Sequence, residues 1–228
     1  MPDATIRYEV ESDGVALITI DRPEKRNAMT YAVLREFHDA VARAADDESA
    51  RVVILTGAGG AFCAGTDLSD LSDTPTEDRG RAAGPARAAW PLVACPKPVI
   101  AAVDGAAVGM GAEFVTQSDV RIFSTRARVA WNFVHRGLVP DTGAGSWLLP
   151  RQIGLSAALR LIYSGEFLTA GEAVALGFAI AAVEPDELLD AARTEARRYL
   201  AGSPFAIRHA KALVYAGLER SMTQSRRA

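Results

Sequence analysis

The sequence is poor in cysteine. Its 228 residues include only Cys63 and Cys95, and their separation fits neither a metal-binding nor a redox motif. The scarcity argues against a disulfide framework and against cysteine-based metal or redox chemistry. It favours a reduced, cytoplasmic setting in which both thiols act as small buried hydrophobic groups.

An excess of basic charge and a long hydrophobic run are also missing. The 25 Lys and Arg residues against 28 Asp and Glu give a net charge of −3 and an isoelectric point near 5.7. No basic stripe for nucleic acid is expected from this balance. The chain opens on a polar stretch, Met1–Tyr8, unlike a signal peptide. The most apolar stretch, Val99–Val115, is broken by two acids and three glycines, so no membrane span is predicted.

What remains is an ordinary globular composition, with 49% hydrophobic and 23% charged residues. That content suits one large domain, or one domain with an appendage. Short β-branched or fully apolar runs alternate with helical periodicity in the first two-thirds, and helical patterns dominate the rest. The alternation predicts a layered α/β body with a helical end. The predicted strands include Val15–Ile20, Val52–Leu55, Val99–Val103 and Val120–Phe123. The predicted helices include one from about Gly111 to Ser118, one over Gly143–Leu149 and one over Thr169–Leu176, which opens with a capping box.

Glu113 is the most informative residue. It ends the stretch Ala106–Glu113, which follows a predicted buried strand and is punctuated by Gly109 and Gly111. A glycine turn before a helix points backbone N–H groups and one carboxylate at the same spot. That combination suits stabilisation of an anion beside a carbonyl group. The simpler alternative is a first-turn carboxylate favoured only by the helix dipole.

Three stretches together resemble the crotonase superfamily, also called the enoyl-CoA hydratase/isomerase family. They are Asp21–Ala28, Ala61–Leu68, and Lys97–Glu113 with Asp119. The resemblance implies an α/β spiral of repeated ββα units over residues 1–178 and a mostly helical region over residues 179–228 for oligomerisation. It implies a homotrimer or a dimer of trimers. Family members usually continue for several helical turns beyond the position of Ala228, where these turns cap a neighbouring subunit's coenzyme A site.

The resemblance also implies an acyl-CoA thioester as substrate. Its thioester oxygen would be held by the backbone N–H groups of Thr66 and Met110. Coenzyme A is then part of the substrate, so neither a separate cofactor nor a metal is expected. The coenzyme A moiety would lie along a set of residues near the first two motifs: Lys25, Arg26, Ala28, Ala64, Asp67 and Leu68.

The position of the second catalytic carboxylate departs from the family's hydratases. Those enzymes use two glutamates, one matching Glu113 and the other falling at Phe133 in this sequence. Phenylalanine cannot move a proton, which puts standard hydration in doubt. Asp141 stands where some family isomerases keep a catalytic acid. Its alternative role is to form the Pro-Asp-Thr-Gly turn and cap the following helix.

The favoured hypothesis is therefore double-bond isomerisation, either from 3-enoyl to 2-enoyl or of the ring type. Trp131 and Phe133 would give the acyl pocket a dry aromatic wall. Three alternatives stay open: enoyl-CoA hydration, nucleophilic attack by Asp141 in a dehalogenase or thioesterase, and a CoA-binding subunit without activity. Asp119 is expected to be structural, and His135 is not expected to take part.

Overall fold

A computed structural model describes residues 5–67, 69, 90–140 and 144–221. The strands are β1 (Ile6–Val10), β2 (Val15–Ile20), β3 (Val52–Gly57), β4 (Val99–Val103), β5 (Ala106–Val108), β6 (Val120–Ser124), β7 (Arg128–Ala130), β8 (Leu168–Thr169) and β9 (Ala181–Val183). The α-helices are α1 (Tyr31–Asp46), α2 (Pro91–Ala94), α3 (Met110–Gln117), α4 (Leu149–Ile153), α5 (Leu155–Ser164), α6 (Ala170–Ala175), α7 (Leu188–Leu200) and α8 (Pro204–Gly217). Short 3₁₀-helices cover Pro23–Lys25 and Asn132–Arg136, and a π-helix covers Ala144–Leu148.

A six-stranded sheet in the order β1-β2-β3-β4-β6-β9 forms the centre. Only β1 and β2 pair in antiparallel fashion, and the other neighbours are parallel. The fully apolar runs of β3 and β4 explain this arrangement, because parallel strands are covered on both faces. Ile54, for example, pairs with Leu17 on one side and with Ile100 on the other.

Helices cover both faces of this sheet. On one face, Leu188, Ala192 and Ala196 of α7 pack on a layer that includes Ile54 and Ile100. On the other face lies the larger core, which contains the buried residues of α1 and α3. The helical spacing of the apolar residues in α1 predicts which side chains face inward, and all of them are buried: Val33, Leu34, Phe37, Val41 and Ala44.

A small three-stranded sheet, in the order β5-β7-β8, stands beside the large one. The sequence predicts no strand separate from the glycine turn here, and it predicts that α3 starts at about Gly111. The helix begins one residue earlier, at Met110. The sequence of elements β4–β5–α3 shows the strand–strand–helix grouping that the resemblance implies.

The last part of the described chain attaches to the body through one strand and two helices. Strand β9 extends the six-stranded sheet, whereas α8 buries none of its residues. Helix α8 is fastened by Lys211, whose Nζ lies 2.8 Å from Asp119 Oδ2, and by Tyr215, whose hydroxyl donates to Asp119 Oδ1 at 2.9 Å. Asp119 also accepts the N–H of Val99, so its expected structural role is confirmed. The separate oligomerisation role of residues 179–228 stays a prediction.

Neither a membrane-spanning helix nor a metal-binding cluster is found among the described residues. None of their helices has both the length and the apolar character needed to cross a bilayer. None of their His, Cys, Asp and Glu side chains form a group of three or more that is arranged to hold a metal ion.

Candidate active site

Glu113 lies in the first turn of α3 and has no exposed surface. Among the residues that the structure describes, it is the one carboxylate that is buried. The backbone N–H of Gly145, in the π-helix, donates to Glu113 Oε2 at 2.8 Å. Burial of a carboxylate costs free energy unless hydrogen bonds compensate it, so this position marks a candidate functional group.

Trp131 lies close to this carboxylate, because a Cβ atom at Gly145 would approach both side chains, at 2.5 Å from Glu113 Oε1 and 2.9 Å from Trp131 Cδ1. Its indole N–H donates to the hydroxyl of Thr116 at 3.2 Å, and its ring meets Phe178 edge to face at 5.6 Å between centroids. The side chain is fully buried. Trp131 therefore belongs to the core next to Glu113, and its predicted part in an acyl pocket stays a prediction.

Thr66 and Met110 are brought to neighbouring places by the chain around them. The residues on either side of Thr66 pair with Met29, through Met29 N to Gly65 O and Asp67 N to Met29 O, both at 2.8 Å. A Cβ atom at Gly65 would lie 3.7 Å from the backbone nitrogen of Met110. Across the described hydrogen bonds, neither the Thr66 N–H nor the Met110 N–H is used as a donor. Two such N–H groups can bind an oxyanion together.

Glycines allow this close approach. A Cβ atom at Gly111 would lie only 2.2 Å from the carbonyl oxygen of Cys63, so the start of α3 rests directly on the strand-like segment before Thr66. Val108 N donates to the same Cys63 oxygen at 2.9 Å. Gly109 has φ +53°, a left-handed conformation that favours glycine and turns the chain into α3.

Cys63 itself is chemically quiet. Burial raises the pKa of its thiol to about 12, so the thiol stays protonated near neutral pH and is a poor nucleophile. Cys95 is also buried, and burial raises the pKa of its thiol too. The prediction that both cysteines are small buried groups is confirmed.

The residues predicted to hold coenzyme A form one turn-rich region. Lys25 and Arg26 are exposed, and the backbone oxygen of Arg26 accepts the N–H of Ala64 at 3.0 Å. This bond places the first and second motifs next to each other. Ala28 belongs to the same region, because its carbonyl oxygen accepts from the guanidinium of Arg22, which also lies next to Asp67.

Asp67 completes this region, while Leu68 lies outside the described residues. The pKa of Asp67 is lowered mainly by a hydrogen bond from the Ser69 hydroxyl and also by the charge of Arg22, whose Nη1 lies 3.6 Å from Asp67 Oδ2. Asp67 is therefore held in its ionised form. The binding of coenzyme A by this region stays a prediction.

The remaining site predictions lie around the 3₁₀-helix Asn132–Arg136. Phe133 is half-buried and packs against the large core. His135 is exposed, and its ring lies over Gly165, where a Cβ atom would approach within 2.8 Å of it. That contact fits a packing role for His135, which is not expected to take part in the chemistry. Asp141 lies outside the described residues, so its role stays a prediction.

Two polar anchors of the site are not predicted from the sequence. Asn27 is fully buried and donates to the carbonyl oxygens of Ala58 and Ala61 at 2.9 and 2.6 Å. The other missed residue is Gly145. A glycine within the predicted helix Gly143–Leu149 was a usable signal for it, because such a glycine often marks a close approach of backbone to another group.

Comparisons with known proteins extend these observations. A family model described as enoyl-CoA hydratase/isomerase matches residues 10–228. A Rhodobacter capsulatus protein named "Probable enoyl-CoA hydratase" is 38% identical over 218 residues, or 94% of this chain and 82% of that protein. The 1,2-epoxyphenylacetyl-CoA isomerase of Escherichia coli is 37% identical over 198 residues, or 84% of this chain and 74% of that protein. A crystal structure of an enoyl-CoA hydratase from Bacillus anthracis matches with a TM-score of 0.91 at 29% identity, covering 98% of this chain and 87% of that chain. The predicted crotonase-like α/β fold is confirmed by this likeness.

Proposed function

Because the chain belongs to the enoyl-CoA hydratase/isomerase family and is an enzyme of that family, we propose that it isomerises the double bond of an acyl-CoA thioester. The substrate is a 3-enoyl-CoA or an unsaturated acyl-CoA whose acyl group contains a ring. The observation that carries this proposal is the single buried carboxylate among the described residues, Glu113. It lies one turn after Met110, whose N–H donates in none of the described hydrogen bonds. Moving a double bond needs proton transfer, whereas it needs no activated water.

The proposed reaction begins with the thioester oxygen between the N–H groups of Thr66 and Met110. A carboxylate removes a proton from the carbon alpha to the thioester, and the electron pair of that C–H bond moves into a dienolate. The two N–H groups stabilise the negative oxygen, and each such donor typically contributes a factor of about 10²–10³ in rate. The proton then returns at the gamma carbon, which leaves a conjugated 2-enoyl thioester.

Two carboxylates are proposed for these proton transfers. Asp141 is the candidate by family resemblance, and Glu113 is the candidate whose surroundings the structure describes. A positioned acid or base usually contributes a factor of about 10²–10⁴ in rate. If Asp141→Asn lowers turnover by less than about tenfold while the fold is intact, Asp141 has no part in the chemistry.

Hydration of a 2-enoyl thioester is the second candidate. Its support is the name of the Rhodobacter capsulatus relative and of the Bacillus anthracis structure, both described as enoyl-CoA hydratases. Against it stands Phe133, half-buried at the place where the resemblance puts the second glutamate. Hydration would therefore need Glu113 and a partner other than residue 133.

Mass spectrometry of the acyl-CoA product, combined with the ultraviolet absorbance of a conjugated enoyl thioester, distinguishes the reaction classes. Isomerisation leaves the mass of the thioester unchanged, hydration adds the mass of one water molecule, and thioester hydrolysis releases free coenzyme A. A covalent adduct on the protein would indicate nucleophilic attack by Asp141. The proposal expects a product of unchanged mass and altered double-bond position, and a product that has gained water from every enoyl-CoA tested would contradict it.

A further inference from the structure

The environment of Glu113 shows how its carboxylate is held in place. The Gly145 N–H reaches Glu113 Oε2 at 2.8 Å from a π-helix of five residues, Ala144–Leu148. Such short π-helical segments occur frequently at functional sites. Gly145 is itself buried, so this hydrogen bond is shielded from water and stronger than an exposed one.

Position 145 needs a glycine because a side chain would not fit there, and not because of its backbone conformation. Its φ angle does not fall in the left-handed region, unlike that of Gly154, where φ is +85° and a Cβ atom would meet nothing. A Cβ atom at Gly145 would lie 2.5 Å from Glu113 Oε1 and 2.9 Å from Cδ1 of Trp131. Any side chain at this position therefore has to displace the carboxylate, the indole ring or the helix.

The indole ring cannot easily move away. Its N–H donates to Thr116 Oγ1, and the Thr116 hydroxyl in turn donates to the carbonyl oxygen of Ala112 at 2.7 Å. The Thr116 carbonyl oxygen accepts from Gln152 Nε2 at 3.0 Å. This chain of bonds links α3, Trp131 and α4. The carboxylate of Glu113 is thus confined between a fixed ring and the backbone of residue 145.

We propose that Gly145 is the positioning residue for Glu113: its N–H fixes one carboxylate oxygen, and its missing side chain leaves the room that the carboxylate occupies. The inference rests on the proposed function, in which Glu113 faces the thioester. Gly145 acts through Glu113 and does not itself touch the substrate.

The first test is Gly145→Ala, assayed with 3-hexenoyl-CoA. Displacement of a reacting group by about 1 Å can cost about 10²-fold in rate, so kcat is expected to fall by about that factor while KM changes by less than about threefold. Gly171→Ala is the matched control, because a Cβ atom at that helical glycine meets nothing within 4 Å. A Gly145→Ala enzyme with kcat within about threefold of the wild type would overturn the proposal.

A second measurement needs neither a folded Gly145→Ala variant nor turnover. The amide proton of Gly145 is followed by nuclear magnetic resonance in the wild type and in Glu113→Gln. Replacing a charged acceptor by a neutral one weakens the bond, so the Gly145 resonance is expected to shift upfield while that of Gly171 stays in place. An unchanged Gly145 resonance would overturn the proposal. If the wild type leaves 3-hexenoyl-CoA untouched, the proposed function fails, and the resonance still decides the role of Gly145.

Discussion

At the scale of single residues, burial separates Glu113 from the other acids that the structure describes. Asp67, Asp104 and Asp119 all keep some exposure and are engaged by cations or hydroxyl groups that hold them ionised or in structural roles. Glu113 has no exposure and receives a backbone N–H. A carboxylate in such a place has a strong electrostatic effect on whatever binds next to it.

Glu113→Gln tests this assignment. Glutamine keeps the size of the side chain and an oxygen that can accept the Gly145 N–H, so the free energy of unfolding is expected to change by less than about 1 kcal/mol. It cannot take a proton, so turnover is expected to fall by about 10²–10⁴. Glu166→Gln, which alters an exposed ion pair with Arg160, serves as the control. Turnover of Glu113→Gln within about tenfold of the wild type would remove Glu113 from the mechanism.

Residue-level prediction from the sequence depended on local signals. Glu113 is found because a glycine-rich turn precedes it within a few positions. Asn27 and Gly145 cannot be found in this way, because each binds a partner more than 30 positions away in the chain. The partner of Asn27 is Ala61, and the partner of Gly145 is Glu113. Only the folded chain shows these partnerships.

At the scale of elements, the contact between the start of α3 and the Cys63 segment sets the distance between the two proposed oxyanion donors. The helix approaches so closely that Gly111 has no room for a side chain. Both donors therefore depend on the packing of one helix against one extended segment.

Gly111→Ala tests this dependence. The added methyl group would meet the Cys63 carbonyl oxygen at 2.2 Å, which forces α3 to shift. We expect a loss of about 1–3 kcal/mol in the free energy of unfolding, as for other overpacked cores. If the shift separates the N–H of Met110 from that of Thr66, kcat also falls by about 10²–10³.

Gly217→Ala is the companion variant, because its Cβ atom would stand in open space in α8. Urea unfolding and turnover are measured for both variants. A Gly111→Ala protein that is as stable and as active as the wild type would show that α3 does not set the geometry of the donors.

Elements with a clear periodicity were predictable, and those set by tertiary contacts were not. The apolar runs gave β2, β3, β4 and β6, and the capping box at Thr169 correctly marked the start of α6. Strand β5 has three residues and exists because it pairs with β7. The π-helix lies within a predicted ordinary helix, since the wider turn depends on packing that the sequence does not encode locally.

At the scale of the whole molecule, large apolar side chains remain on the surface. Val139, Leu155, Tyr163, Phe205 and Val214 are each 65–70% exposed. A contiguous apolar patch on a surface marks a contact between chains, whereas single exposed apolar residues are normal. The homotrimer or dimer of trimers that the family resemblance implies therefore stays a prediction.

Light scattering on the purified protein measures this assembly directly. One chain has a mass of 24.2 kDa, and we expect a particle with three or six times that mass. The value should not change when the protein is diluted over the micromolar range. A particle with the mass of a single chain would contradict the proposed assembly.

The central claim is that this enzyme moves a double bond through a carboxylate next to two oxyanion donors. The most direct test follows the ultraviolet absorbance of the conjugated enoyl thioester, with 3-enoyl-CoA supplied in one cuvette and trans-2-enoyl-CoA in another. The account predicts a rise in the first, little change in the second, and loss of the rise in Glu113→Gln. A fall in the second cuvette, with no rise in the first, would mean hydration and would contradict the account.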